Sequence, residues 1–208
     1  MRLIKYYILV ATLIMWSCKS KANLENVSNL EDVMAFIIDA KAFPIPPPPP
    51  PPPPSALNDT TGAWQLSEKF VDSLKSVKLK VGVHPILETP IFDDKISLVE
   101  IPDSYKKLIK QFPNIEDIKI SSFKNINAKS RHSVVLADTL ILKESRDWRE
   151  YDMVFKFSNV AFSSDYNKAA LSVGFSNSAL AGYGVFYLLD KTKSGEWVIF
   201  KSRQLQEW

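Results

Sequence analysis

Residues 155–201 read FKFSNVAFSSDYNKAALSVGFSNSALAGYGVFYLLDKTKSGEWVIFK, a series of apolar runs separated by turn-forming residues. Ala169, Leu171, Val173 and Phe175 fall on one face of an extended chain, with Lys168, Ala170 and Ser172 on the other. That period of two marks a half-buried strand. Val185 to Leu189 is almost continuously apolar, as in a strand covered on both faces. The polar stretch Lys191 to Gly195 then offers a turn whose glycine can adopt positive φ. In the returning strand Trp197 and Ile199, with Lys201 continuing the register, alternate with Val198 and Phe200. Short connections between three such strands make an antiparallel meander. The pattern specifies a sheet and no reaction.

Working upstream, the remaining elements are shorter. Leu66, Phe70 and Leu74 lie four apart and predict a helix over 64–76. Val77, Leu79, Val81 and Val83 alternate with Lys78, Lys80 and Gly82 as a strand does. His84-Pro85 and Thr89-Pro90 punctuate an irregular stretch, and Leu108, Ile109 and Phe112 give an apolar face to a helix over 101–112 that Pro102 can start. Ile118 and Ile120 mark a brief strand, Ser133 to Leu142 a longer one, and Arg146 to Tyr151 a charged turn. The expected fold class is α+β: a largely antiparallel sheet ending in the three-stranded C-terminal meander, with helices near 66–76 and 102–112 packed on one face.

The amino terminus is patterned differently. Met1 to Lys5 is a short basic region, and Tyr6 to Trp16 is apolar but shorter than the roughly 20 residues a bilayer-spanning helix needs. It ends at Ser17-Cys18, and Cys18 is the only cysteine among 208 residues. This arrangement resembles a bacterial lipoprotein signal, in which the cysteine is lipidated and becomes the first residue of the mature chain. Met15 stands where Leu is usual, three residues before the cysteine. A cleaved soluble signal and an uncleaved anchor are the alternatives. A single cysteine excludes an intramolecular disulfide and a cysteine-based zinc site. Without Arg2 and Lys5 the 26 basic residues fall to 24 against 23 acidic, a formal balance of +1 that suggests neither nucleic acid nor a strongly acidic substrate.

After a polar spacer, Ser28 and Glu31 have the spacing of a capping box. Leu30, Val33, Met34, Ile37 and Ile38 form the stripe of an amphipathic helix over 28–41. That stripe is expected either to pack on the protein's own domain or to dock on a partner or the membrane surface. Pro46 to Pro54 are nine consecutive prolines, a polyproline II rod of about 28 Å at about 3.1 Å per residue. They are read as a spacer, with a ligand for an aromatic groove as the alternative. The chain thus divides into a signal peptide (1–17), an anchor spacer with its amphipathic helix (18–43), a polyproline linker (44–59) and a globular domain (60–208).

Residues able to do chemistry are sparse. His84 and His132 are the only histidines and lack metal-ligand spacing. Arg131-His132-Ser133, with Asp138 nearby, has the residue types of a nucleophilic triad, but in a strand His132 and Ser133 point to opposite faces. Asp93, Asp94 and Glu100 are the acids of an irregular stretch where paired carboxylates would have to be sought. Gly182-Tyr183-Gly184 is too short for a phosphate loop and reads as a bulge or tight turn. No catalytic, metal-binding or cofactor-binding residue is assigned; Cys18, as the lipidation point, is the one site residue.

The order Phe157-Ser158, Phe162-Ser163, Asp165, Ala169-Ala170, Leu180 to Gly184 and Gly195-Glu196-Trp197 resembles the C-terminal pattern of uncharacterised lipoproteins common in Bacteroidetes. Many of these carry a C-G-x-L-C-G-x-G segment before a Tyr-Leu-Leu strand and a terminal G-x-W strand. Asn177 and Ala181 occupy the two cysteine positions here, and Ser178 replaces the first glycine. The resemblance covers about the last 50 residues and implies location and fold type but no activity. The expected function is a non-enzymatic, lipid-anchored binding or structural module of the bacterial envelope, at the outer membrane, with the membrane as one partner and a protein as another. An envelope hydrolase using carboxylates on the 84–100 and 121–132 loops is the alternative.

Overall fold

The computed structural model describes residues 27–44, 68–90, 101–120, 124–137, 150–178 and 181–207. Helix α1 (27–41) is followed by α2 (Glu68–Ser76), β1 (Lys80–Val83) and β2 (Ile86–Leu87). Next come α3 (Asp103–Ile109), a 3-10 turn at Phe112–Asn114, β3 (Ile118–Lys119), α4 (Lys124–Lys129) and β4 (Ser133–Leu136). The C-terminal half is β5 (Met153–Phe157), β6 (Ala161–Phe162), β7 (Lys168–Ser178), β8 (Ala181–Lys191) and β9 (Trp197–Glu207). The class is α+β.

One mixed sheet organises these elements in the order β4-β1-β5-β7-β8-β9. β1 runs parallel to both β4 and β5, whereas β5–β7, β7–β8 and β8–β9 are antiparallel. The meander expected from its alternation is therefore the longest part of the sheet. β5 and β6 share one edge of β7, β5 pairing with Val173 to Ser176 and β6 with Ala169 and Ala170. β2 and β3 form a separate two-stranded piece, joined to the main sheet by a bridge between Glu88 and Ser158.

Helices cover both faces of this sheet, α1 and α4 one and α3 the other; the expectation of a single face concerned only the helices near 66–76 and 102–112. Alternate residues along the strands sort into two cores. Val81, Phe155, Leu171, Val173, Tyr187 and Leu189 point to one face, where they meet Val33, Met34, Ile37 and Ile38 of α1 and Ile126 of α4. Ala170, Phe186 and Leu188 point the other way, against Tyr105, Leu108, Ile109 and Phe112 of α3 and the turn after it. The physical reason is the apolar character of both faces of β8, where Phe186 and Leu188 oppose Tyr187 and Leu189, which needs a cover on each side. In α2, Phe70 and Leu74 are half-buried, and Leu66 lies outside the described residues.

The apolar stripe of α1 is thus spent on the protein's own core, with Val33, Met34, Ile37 and Ile38 all 0% exposed. α1 lies on the N-terminal side of the proline run, yet it belongs to the same folded unit as the strands after residue 60. The proline run of the expected linker lies outside the described residues. Val27 is already helical, so Ser28 sits inside α1, and the Glu31 carboxylate accepts from Asn125 Nδ2 of α4 at 2.9 and 3.2 Å.

β9 holds a further departure. Its register against β8 shifts twice, leaving Phe200 and Leu205 as extra residues. A bulge moves the following residues to the opposite face. Lys201 consequently sits opposite Leu188, on the α3 face, and does not continue the row of Trp197 and Ile199. Phe200 stacks on Tyr105 with ring centroids 5.3 Å apart, and Leu205 packs on the same core. The bulges also blunt β9, an edge strand of the sheet, against pairing with another chain.

Candidate functional site

The residues singled out from the sequence are not brought together. His84 and His132 lie at opposite ends of β1: His84 directly follows the strand, while His132 accepts from the Leu79 N–H just before it. His84 is occupied locally, its Nδ1 lying 3.2 Å from the Ile86 carbonyl and 3.3 Å from the Ile86 nitrogen. His132 is buried and Ser133 exposed, on opposite sides as the parity of a strand requires. Cys18, Asp93, Asp94, Glu100 and Asp138 lie outside the described residues. Among the described residues no group of three or more His, Cys, Asp or Glu side chains is placed to hold a metal ion. Gly184 pairs with Gly174 within the β7–β8 ladder, beside the irregularities at Ser176–Ser178 and Gly184–Val185, so the two glycines flanking Tyr183 do mark irregular strand.

The structure assembles three polar clusters that the sequence did not reveal. The most extensive is at the C-terminal end of α1. There the Asp39 carboxylate accepts from Ser130 Oγ at 2.6 Å and from the Arg131 backbone N–H at 3.1 and 3.3 Å. The Arg131 guanidinium donates to the carbonyls of Asp39 (3.1 Å) and Ala42 (3.4 Å) and to that of Lys75 at the end of α2. Its carbon lies 5.6 Å from the centre of the exposed Phe43 ring. One cation therefore gathers the carbonyls that two helix C-termini leave without intrahelical partners, where the helix dipoles also favour positive charge. Lys129 pairs with Asp32 along the same helix. Burial and the neighbouring Arg131 push the His132 imidazole below its ordinary pKa, with Asp39 and the Ala42 carbonyl opposing them.

On the other face, the Tyr105 hydroxyl lies 2.7 Å from Asp190 Oδ1 and 3.0 Å from the Leu189 carbonyl. Lys168 Nζ approaches the same carboxylate oxygen at 2.6 Å and sits 4.9 Å from the centre of the Tyr105 ring. Burial, then the Asp190 carboxylate, push the phenol upward, so that it remains a donor. This cluster fixes α3 on the sheet.

The third cluster lies where β5 leaves the sheet. Ser158 Oγ donates to the Asn159 carbonyl (2.8 Å) and accepts from the Ser172 N–H (2.9 Å), while Asn159 Nδ2 donates to the Glu116 carbonyl at 3.1 Å. Asn159 is 0% exposed, and its Oδ1 has no hydrogen-bond partner among the described residues. The same is true of the Trp197 indole nitrogen. The Trp197 ring has Lys191 Nζ 4.8 Å from its centre and Phe162 at 6.2 Å.

In the first and third clusters the donors and acceptors mainly tie side chains to backbone, in the second they mainly tie side chain to side chain, and each joins segments distant in sequence. Among the described residues two acids are shifted, and both move down. Asp165 is drawn to about 2 by Ser163 Oγ and the Asn167 backbone and side chain, and Asp103 is lowered by Lys106. A general acid for glycoside hydrolysis needs the opposite displacement. No family model, curated protein or solved structure matches this chain.

Proposed function

We propose that the protein is a lipid-anchored lipoprotein of the bacterial cell envelope, attached through Cys18 and working as a binding or structural module. The observation that carries this reading is the sequence from Met1 to Cys18: a basic start, an apolar run too short to span a bilayer, and Ser17 before the chain's sole cysteine. The C-terminal pattern ending in Gly195-Glu196-Trp197, which resembles envelope lipoproteins, supports it. The position of α1 gives the reading a geometry. Only residues 19–26 separate Cys18 from a helix built into the core. At roughly 3.3–3.6 Å per residue those eight residues span at most about 29 Å, so the folded unit would be held close to the bilayer.

A binding role is favoured over hydrolysis because the described polar side chains are engaged in holding α1, α3 and the β5 exit loop in place. The two carboxylates shifted among the described residues are also displaced in the wrong direction for a general acid. Metabolic labelling with a fatty acid, followed by membrane fractionation, tests the anchor. The wild-type chain should carry label and sediment with membranes, while Cys18→Ser should carry none. Equal labelling of the two would overturn the proposal.

A further inference from the structure

We infer that His132 and Arg131 form an acid-releasable latch that holds the C-terminal end of α1, together with the end of α2, on the sheet. His132 is 2% exposed, yet both of its ring nitrogens face N–H donors. The Leu79 backbone N–H lies 3.1 Å from Nδ1, and Arg131 Nε lies 3.0 Å from Nε2. A neutral imidazole has one unprotonated nitrogen and can satisfy one of these donors. A doubly protonated ring satisfies neither: it sets N–H against N–H at Leu79 and a cation against the guanidinium.

The charges around the ring do not relieve this. Arg131 is next to it in sequence, and Lys78, from the segment leading into β1, adds further repulsion. From α1 come the Asp39 carboxylate and the Ala42 carbonyl, which favour the protonated ring. Asp39, however, is already shared between Ser130 Oγ and the Arg131 N–H, and Ala42 already accepts from the guanidinium. The net effect lowers the imidazole pKa from its ordinary 6.5. For a base depressed in the folded state, the unfolded or released form binds more protons between the two pKa values. The latch is therefore at full strength above about 6.5 and weakens as pH falls from there through the depressed value.

What opens is set by what Arg131 grips. The same guanidinium that meets the ring also binds the carbonyls of Asp39, Ala42 and Lys75. Its displacement frees the ends of both helices, while the β7–β8–β9 ladder shares no hydrogen bond with this cluster among the bonds described. The opening is local, of the kind that hydrogen exchange resolves from global unfolding. It does not depend on the lipid anchor.

The test uses the chain from residue 19 and His132→Asn, which keeps an acceptor for the Leu79 N–H but cannot titrate. Amide exchange is measured at several pH values between 7.5 and 5, corrected for intrinsic rates. In the wild type, protection of residues 39–42, at the C-terminal end of α1, should fall by up to about tenfold per pH unit below 6.5, the limit for one proton, with β7–β9 unchanged. His132→Asn should show no such fall. Parallel loss in both proteins, or loss spread evenly over the sheet, would overturn the latch. The ring signals of the two histidines in the wild type give a readout that needs no variant. His132 should titrate below 6.5 in step with signals from α1, and titration at or above 6.5 without change in α1 would equally refute it.

Discussion

Removing α1 should abolish cooperative folding of everything that follows it. Val33, Met34, Ile37 and Ile38 are each 0% exposed against the face formed by Phe155, Leu171, Val173 and Tyr187. Burial of one such side chain contributes about 1.5–3 kcal/mol, so the four together supply roughly 6–12 kcal/mol, an upper bound because the unfolded chain already buries part of that area. A whole domain is typically stable by only about 5–15 kcal/mol. A chain of residues 60–208 also loses the Asp39 and Glu31 acceptors that hold Ser130, Arg131 and Asn125. Urea denaturation followed by tryptophan fluorescence, comparing 19–208 with 60–208, should show a sigmoidal transition in the longer chain alone. A milder perturbation gives a graded reading: Ile38→Ala should cost about 2–5 kcal/mol, and Val27→Ala, at 51% exposure, less than about 0.5 kcal/mol. A cooperative transition in 60–208 within about 1 kcal/mol of the longer chain, or equal effects of the two substitutions, would refute the reasoning.

Trp197 is 6% exposed beside Phe162, so Trp197→Ala should lower stability by about 3–5 kcal/mol in the same assay, and a loss under about 1 kcal/mol would mean the ring does not fill the core. Gly195 has φ +88° with nothing within 4 Å of an added Cβ, so Gly195→Ala tests backbone strain without a clash; it should cost roughly 1–2 kcal/mol. Tyr105→Phe removes the hydroxyl from Asp190 and the Leu189 carbonyl but keeps the stacking on Phe200. It should cost about 0.5–1.5 kcal/mol by chemical denaturation, and Lys168, still paired with Asp190, keeps that carboxylate from being left alone.

The meander was legible because its signals are local. Alternation from Ala169 to Phe175, the run Val185 to Leu189 and the turn at Gly195 each report their own conformation. Which strands pair is a different matter. Nothing in Lys80–Val83 announces that it lies parallel between β4 and β5, since that depends on crossovers through α3 and α4. Helix α4 was invisible because it offers a single buried apolar residue, Ile126, and no stripe. The bulges at Phe200 and Leu205 leave no mark in an alternating pattern, and Lys201 was accordingly assigned to the wrong face. The stripe of α1 showed clearly that it must be buried, but not against what, because the nine prolines after it suggested a boundary. The His132 cluster was hidden for the same reason: its partners are Leu79, 53 residues away, and the end of α1, farther still.

The most direct measurement on the anchor is an intact mass, with N-terminal peptide sequencing, of the protein extracted in detergent from bacterial membranes. The expected result is a chain that begins at Cys18, lacks residues 1–17 and carries the added mass of lipid on that residue. A chain that retains Met1, or one that begins elsewhere and carries no lipid, would contradict the assignment.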